Sequence, residues 1–124
     1  MAQHRPPVLL VNDDPDTSEA LRMILQCDGH EVEWAADGRE ALKMLHDGLR
    51  PGIIVLDLMM PVMDGFEFRY EQLKDSDIAD IPVVVCSAAM DPRAAAQQLR
   101  AAGYVQLTDR IDPLRDLVRQ HCLK

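Results

Sequence analysis

The chain lacks the features of a secreted, disulfide-stapled or membrane-anchored protein. Only three of its 124 residues are cysteines, and they are widely spaced without a C-x-x-C pair, so neither a disulfide framework nor a zinc site is indicated. The first residues, MAQHRPP, contain no apolar core of a signal peptide, and no apolar run is long enough to span a bilayer. We therefore expect a cytoplasmic protein with reduced thiols and no membrane partner.

Basic residues are also scarce. Thirteen Lys and Arg stand against 21 Asp and Glu, for a net charge of −8, which argues against direct binding to nucleic acid because neutralisation of phosphates dominates such binding. Residues 1–90 carry 7 basic and 17 acidic side chains, whereas residues 91–124 carry 6 and 4. The last third is either solvated surface with a chance asymmetry or a face that binds a partner protein.

Length and patterning predict a single domain over residues 1–124. A chain of this size can bury roughly two thirds of the surface that its unfolded form exposes, and no linker, repeat or low-complexity segment interrupts it. Most of the β-rich runs are continuously apolar, as buried parallel strands are, while the second alternates like an edge strand. The runs are Val8–Val11, Glu31–Trp34, Ile53–Leu56, Val83–Val85 and, more weakly, Tyr104–Leu107.

Segments with helical spacing lie between these runs, and an aspartate marks the start of each predicted helix. The pairs are Asp14-Pro15, Asp37-Gly38, Asp64-Gly65, Asp91-Pro92 and Asp112-Pro113. Because parallel strands need long, right-handed crossovers, five β/α units predict a doubly wound, five-stranded parallel sheet of the α/β class.

The run Ile53–Leu56 ends on a carboxylate, Asp57, which needs a partner if it is to be charged in a buried setting. The first run ends at Asn12 and Asp13, and the fourth leads into Ser87. If the first and third strands are neighbours, Asp13 and Asp57 converge and repel each other unless a cation lies between them. Mg²⁺ suits such a pair, because it prefers oxygen ligands and uses only one or two carboxylates.

The chain resembles the receiver domain of two-component response regulators over essentially its whole length. The motifs are V-N-D-D-P (11–15), G-H-E-V-x-x-A-x-D-G-x-E-A-L (29–42), D-L-M-M-P-V-M-D-G-F-E (57–67) and I-P-V-V-V-C-S-A (81–88). This resemblance implies a flavodoxin-like (βα)5 fold with strand order 2-1-3-4-5. It also implies a signalling switch rather than an enzyme.

By resemblance, Asp57 accepts a phosphoryl group from a histidine kinase or a phosphotransfer protein. Mg²⁺ is then bound by Asp13, Asp57 and the main-chain carbonyl of Met59, and Ser87 hydrogen-bonds the phosphoryl oxygen. The added charge of about −1.5 to −2 would bias a two-state loop. With no output domain of its own, the chain would act through protein contacts, with the 91–124 face as a candidate surface.

The acidic pair of the family is altered in this chain. Asn12 stands where the family usually has an acid, so that an amide oxygen would reach the metal through a water and the attraction for Mg²⁺ would be weaker. The neighbouring Asp14 could substitute as a ligand, but its position before Pro15 favours the interpretation as a helix cap.

The usual lysine of the family is also missing. Depending on where a gap is placed, its position falls on Leu107, Asp109 or Arg110. Arg110 could serve as a longer, forked donor, although arginine is not equivalent to a compact ammonium, and a plain surface role for Arg110 is the simpler interpretation. Loss of this charge-assisted bond should loosen the coupling between phosphorylation and rearrangement more than it prevents phosphorylation.

Three functions follow from these residues. The first is a phosphoacceptor switch that depends on Mg²⁺. The second is an interaction module of receiver shape that works with little or no phosphorylation, which Asn12 and the missing lysine favour. The third is a phosphohydrolase of the haloacid dehalogenase type, but such enzymes place a second acid two residues after the nucleophile, where this chain has Met59. Asp13, Asp57 and Ser87 together favour the switch.

Overall fold

Strands and helices alternate along the whole of the described chain. The computed structural model describes residues 5–87, 91–107 and 111–122. In these residues the strands form one parallel sheet of order β2-β1-β3-β4-β5, which confirms the predicted flavodoxin-like fold. The elements are β1 (Val8–Val11), α1 (Pro15–Cys27), β2 (Val32–Ala35), α2 (Gly38–His46), β3 (Ile53–Leu56), α3 (Gly65–Lys74), β4 (Val83–Ser87), α4 (Arg93–Gln98), β5 (Gly103–Gln106) and α5 (Asp112–Cys122).

The apolar strands are buried because helices cover both faces of the sheet. Every residue of β1, β3 and β4 is buried. Alternate side chains enter two separate cores: Val8 and Leu10 pack with α1 and α5, whereas Leu9 and Val11 pack with α2 and α3. The continuous apolar runs of the sequence are thus explained by a sheet that is apolar on both sides.

Strand ends differ from the predicted bounds by one or two residues. β2 covers Val32–Ala35 rather than 31–34, and β5 covers Gly103–Gln106 rather than 104–107. Both lie at the edges of the sheet, where a single neighbour fixes the ladder. β4 extends to Ser87, because its last residues pair with β5.

Three of the five predicted helix starts are confirmed. The side chains of Asp14, Asp37 and Asp64 accept hydrogen bonds from backbone N–H groups of the first turns of α1, α2 and α3. The other two pairs also lie at the starts of their helices, within one residue of the predicted position. α4 begins after Pro92, and Oδ1 of Asp91 accepts from the N–H of Arg93 at 3.0 Å. Asp112 is itself the first residue of α5. None of the described helices is long and apolar enough to cross a membrane.

A buried histidine lies between the end of α1 and the start of β2. It is therefore at the amino ends of the parallel strands. His30 is 5% exposed, and its Nδ1 has no hydrogen-bond partner among the described residues. Burial lowers the pKa of His30 below the ordinary 6.5; the charge of Asp28 opposes this shift, and the charges of Arg5 and Arg119 add to it.

We predict that acid destabilises the fold through His30. The unfolded chain binds a proton at this side chain more readily than the folded chain does, so its stabilising contribution is full above the unfolded pKa. It is lost as the pH falls through the lower folded pKa. Urea denaturation between about pH 7 and pH 5 should show a smaller loss of stability for His30→Gln than for the wild type. Equal losses in the two proteins would contradict this prediction.

Candidate functional site

The carboxyl ends of β1, β3 and β4 bring three segments of the chain to one edge of the sheet. Val11 is level with Leu56, and Leu56 is level with Val85. The next residues along these strands are therefore neighbours, and the N–H of Asp57 donates to the carbonyl of Val11 at 2.9 Å. The predicted meeting of the segments around positions 13, 57 and 87 follows from this register.

Asp57 is a half-buried carboxylate among other acids. Burial raises its pKa, the nearby charges of Asp13 and Asp14 raise it further, and the backbone N–H groups of Leu58 and Met59 partly offset these effects. The N–H of Leu58 donates to Oδ1 of Asp57 at 2.8 Å. The site is thus a pocket of negative charge that a cation would neutralise.

The two aspartates after β1 differ in what they contact. Asp14 caps α1, since its carboxylate accepts from the backbone N–H of Thr17 at 3.3 Å and from the Thr17 hydroxyl. The hydroxyl bond is the main reason that the pKa of Asp14 is lowered. Asp13 is exposed, and its charge acts on Asp57. The cap interpretation of Asp14 is therefore confirmed, and Asp13 remains the free acid at the rim.

Asn12 is buried and held by its neighbours. Its side-chain oxygen accepts from the N–H of Asp14 at 2.8 Å, so one of the two lone pairs of that oxygen is already used. Its main-chain carbonyl accepts from the indole N–H of Trp34 at 2.8 Å. Asn12 therefore shapes the turn after β1, and Trp34 lies partly exposed beside it.

β4 brings a thiol and a hydroxyl to the same edge. Burial, followed by the charge of Asp57, raises the pKa of Cys86 to about 12, so the thiol stays protonated and cannot act as a nucleophile or a thiolate ligand. Ser87 is buried, and its carbonyl accepts from the N–H of Leu107 at 2.7 Å. The end of β4 is thus fixed to the end of β5.

The loop between β3 and α3 returns closely past Asp57. The N–H of Gly65 donates to the carbonyl of Leu58 at 2.9 Å, and a Cβ on Gly65 would lie 2.5 Å from the carbonyl oxygen of Asp57. Only glycine fits this position. Val62 in the same loop has φ of 68°, a strained value for a β-branched residue. The sequence identified Gly65 only as a helix start, since a close approach of two backbones leaves no pattern.

The position of the missing lysine is only partly described. Leu107 is a partly buried apolar side chain that packs against the core that contains residues of α5. Asp109 and Arg110 lie outside the described residues. Of the lysines in the described segments, Lys43 and Lys74 are both in the last turns of their helices, at the edge of the sheet away from Asp57.

The donor set fits Mg²⁺ better than a softer metal. In the described segments, no group of three or more His, Cys, Asp or Glu side chains forms a metal cage. Asp13 and Asp57 would nevertheless match the one or two carboxylates that Mg²⁺ uses while it keeps several waters. Burial and the charge of Asp13 raise the pKa of Asp57. A cation bound between the two carboxylates would offset their repulsion.

Comparison with known proteins identifies the family. The model of the response regulator receiver domain matches residues 8–118. The chain belongs to this family of receiver domains. Receiver domains are modules of two-component signalling that work with histidine kinases, and they are not conventional enzymes.

Two relatives of this receiver differ in how much of their own length it matches. An uncharacterised 14.6 kDa protein from Leptolyngbya boryana is 38% identical over 120 residues, covering 94% of this chain and 89% of the relative. The response regulator MprA of Mycolicibacterium vanbaalenii is 38% identical over 100 residues, covering 79% of this chain and 42% of MprA. The receiver thus spans most of the first relative and less than half of the second.

Solved receivers share the fold. The response regulator TrrA of Thermotoga maritima, solved in complex with Mg²⁺ and BeF, is 30% identical with a TM-score of 0.81, covering 93% of this chain and 97% of TrrA. The chemotaxis protein CheY4 of Vibrio cholerae is 29% identical with a TM-score of 0.83, covering 95% of this chain and 99% of CheY4. A relative at this distance therefore binds Mg²⁺ on the same fold.

Proposed function

We propose that this receiver is a Mg²⁺-dependent phosphoacceptor switch in which Asp57 is the accepting residue. The phosphoryl group would come from a phosphohistidine of a kinase or phosphotransfer protein. The P–N bond to the imidazole breaks, a P–O bond to the Asp57 carboxylate forms, and the donor histidine is released without the group. The single observation that carries the proposal is the half-buried Asp57 carboxylate beside Asp13, with its pKa raised.

The residues around Asp57 suit a nucleophile in phosphoryl transfer. The N–H of Leu58 donates to one carboxylate oxygen at 2.8 Å, which fixes the orientation of the group. The neighbouring Cys86 stays a thiol and does not compete. Positioning and neutralisation of charge are what such a transfer asks of a protein, and Asp57 is held by the rigid end of a buried strand.

The proposed metal ligands are Asp13, Asp57 and the main-chain carbonyl of Met59, with Asn12 acting through a water. Bound Mg²⁺ would neutralise charge on the phosphoryl oxygens and on the two carboxylates. Asn12 has a lone pair left for such a water, although its other one is taken by Asp14. The amide carries no charge, so the proposed metal affinity is lower than that of a three-acid site.

Ser87 is the proposed hydrogen-bond donor to the phosphoryl group, and Arg110 is a proposed substitute for the lysine. Ser87 ends β4 level with Gln106 of β5, so a pull on its loop would act on the edge strand. Tyr104 is exposed on that strand, beside a groove of about 300 Å³ between α4 and β5. We propose that a downstream protein reads this part of the 91–124 face, and that this signalling takes place in the cytoplasm.

A receiver-shaped interaction module is the second candidate. Two observations favour it: Asn12 is an amide whose oxygen is engaged within the turn, and Leu107, at one of the candidate positions of the lysine, is an apolar side chain that packs against the core. In such a module the shape of the domain would be kept for binding, while phosphorylation would be weak or absent.

Intact-mass spectrometry separates the two candidates. The purified chain is incubated with a small phosphodonor, such as acetyl phosphate or phosphoramidate, and Mg²⁺. A switch gains one phosphoryl group in this mixture, and loses that gain when the metal is removed with a chelator. A wild-type chain that stays unmodified with metal and donor present would contradict the proposal and favour the interaction module.

A further inference from the structure

The amphipathic pattern of α3 is inverted in its second half. Arg69 and Gln72 are 6% and 0% exposed, whereas Tyr70 and Leu73 are 65% and 45% exposed. A helix that packs on a sheet ordinarily turns its apolar side chains inward and its polar ones outward. In α3 two polar side chains face the protein, and two large apolar ones face away from it.

The inward pair joins α3 to its surroundings through hydrogen bonds. The Arg69 guanidinium donates to the carbonyls of Leu99 and Arg100 at 2.9 and 3.1 Å, and to Oε1 of Gln72 at 2.8 Å. Nε2 of Gln72 donates in turn to the carbonyls of Ile78 and Ile81 at 2.9 and 3.1 Å. These bonds fix the rotation of α3, so Tyr70 and Leu73 cannot turn inward without breaking them.

The outward side of α3 concentrates exposed apolar surface. Of the seven large apolar side chains that are exposed in the described segments, four belong to α3 or to the loop before it: Met59, Val62, Tyr70 and Leu73. We define the α3 face as the exposed Tyr70 and Leu73 together with Phe66, which is half-buried because it also packs against the core beside α4. Their spacing of four and three residues makes a continuous stripe along the helix, like the seam of a coiled coil.

Grooves on either side of the stripe can receive side chains. One groove of about 430 Å³ is lined by Met63, Phe66, Glu67, Tyr70 and Glu71. Another of about 240 Å³ is lined by Phe66, Arg69, Tyr70, Leu73, Gln98 and Leu99. A stripe with a groove on each side is the geometry that another helix needs for ridges-into-grooves packing.

The charges beside the stripe are arranged to match a second copy of the same helix. Glu67 and Lys74 are seven residues apart, so they lie on the same side of α3, one near its start and the other at its end. In an antiparallel pair related by a twofold axis, that side of one helix meets the same side of the other. Glu67 then lies opposite Lys74 of the second copy, and the pairing occurs twice. Oε1 of Glu67 also accepts from the N–H of Asp64 at 3.3 Å in the capping box of α3, which leaves its second oxygen for the lysine.

Lys74 is available for this exchange of partners. In the monomer it pairs with Glu71 at 3.2 Å, and both side chains are well exposed. It also lies over the ring of Tyr70 at 5.0 Å from the centroid. An exposed ion pair of this kind contributes little to stability, so Lys74 can leave Glu71 for the Glu67 of another copy at small cost.

We propose that the α3 face is a self-association surface, on which two copies of the chain pack antiparallel through Phe66, Tyr70 and Leu73. The interface is isologous, as in most homodimers. A single ten-residue helix offers less than the roughly 1,200 Å² of a standard interface, so the dimer is weak and transient.

Net charge sets how this dimer responds to salt. Each copy carries −8, so two copies repel each other at long range, and salt screens that repulsion. The stripe at the centre of the contact is apolar, and the two Glu67–Lys74 pairs beside it are exposed, so the salt-screened attraction that they contribute is small compared with the repulsion between the two net charges. Added salt should therefore tighten the association, whereas binding of a basic partner at Glu67 and Glu71 would weaken with salt.

Analytical ultracentrifugation of the whole chain tests the proposal. We expect a monomer–dimer equilibrium in the wild type with a dissociation constant on the order of 100 µM, weakened at least tenfold by Tyr70→Arg. Met23→Arg is the matched control, since Met23 is a similarly exposed apolar residue on α1, and it should leave the equilibrium unchanged. Circular dichroism checks that each variant is folded.

Charge exchange tests the geometry independently. Lys74→Glu should weaken the dimer by setting two acids against each other, and the double variant Glu67→Lys with Lys74→Glu should restore it, because the pairs are re-formed with opposite sign. A wild type that remains monomeric up to about 1 mM, or a dimer that survives Tyr70→Arg, would overturn the proposal. Equal loss in the Met23→Arg control would overturn it as well, because the association would not depend on the α3 face.

Discussion

Replacement of Asp57 with asparagine is expected to abolish phosphoryl uptake completely. Asparagine has nearly the same shape and still accepts from the N–H of Leu58, but it lacks the carboxylate that attacks phosphorus. Intact-mass spectrometry with a small phosphodonor and Mg²⁺ should show one added group in the wild type and none in Asp57→Asn. The effect is all-or-none because Asp57 directly follows a buried strand and is half-buried, whereas the neighbouring Asp13 and Asp14 are exposed.

Asp14→Asn is the matched control for this variant. Like Asp57→Asn, it removes one carboxylate charge from the site. The cap of α1 is kept, because asparagine is as good a helix cap as aspartate. Phosphoryl uptake should therefore persist in Asp14→Asn. Loss of uptake in both variants would point to general loss of acidity at the rim rather than to Asp57 as the acceptor.

The same Asp57 variant should stabilise the metal-free protein. Burial, together with Asp13 and Asp14, raises the pKa of Asp57 above the ordinary 3.8, so its ionised form costs stability at neutral pH. The cost is absent below the unfolded pKa. Thermal unfolding without metal should thus give a higher midpoint for Asp57→Asn than for the wild type at pH 7, while added Mg²⁺ should raise only the wild-type midpoint appreciably.

Gly65→Ala is expected to damage both the fold and the site. The new Cβ would lie 2.5 Å from the carbonyl oxygen of Asp57 and 2.9 Å from the Cα of Leu58. These are backbone atoms, which cannot turn aside as a flexible side chain does. We expect a loss of about 2–3 kcal/mol in the free energy of unfolding, the upper range for overpacking, and impaired phosphoryl uptake because Asp57 is displaced.

Gly103→Ala separates this clash from a general cost of adding a methyl group. The nearest atoms to a Cβ on Gly103 would be side-chain carbons of Leu117, the closest at 3.2 Å, and the Leu117 side chain can shift. Urea denaturation should give a cost below about 1 kcal/mol for Gly103→Ala, with phosphoryl uptake unchanged. A Gly65→Ala protein that is no less stable than Gly103→Ala would contradict the claim that the loop before α3 presses on Asp57.

The sheet could be predicted from the sequence because polar residues mark the ends of its apolar central strands. Ile53–Leu56 is apolar throughout and stops at Asp57, and both bounds of β3 are those predicted. α4 was less accessible to prediction. The alanine-rich stretch 93–102 has high helical propensity, yet the helix ends at Gln98, and Arg100 adopts φ of 54°, because the chain must turn in time to begin β5 at Gly103.

The strand order was enough to predict which acids of the site lie close together. Parallel neighbours end at one edge, so Asp13 and Asp57 had to approach once β1 and β3 were adjacent. The bond from Trp34 to the Asn12 carbonyl and the burial of Arg69 against the carbonyls of Leu99 and Arg100 depend on contacts between distant segments. Sequence patterns do not record such contacts, and propensity alone would have placed Arg69 in solvent.

Locating the phosphoryl group on the chain tests the central claim most directly. After reaction of the wild type with a small phosphodonor and Mg²⁺, the acyl phosphate is reduced with borohydride and the digested peptides are sequenced by tandem mass spectrometry. We predict that the reduced residue is Asp57 and that Asp13 and Asp14 are unmodified. A label on another carboxylate, or none at all, would contradict the assignment of Asp57 as the phosphoacceptor.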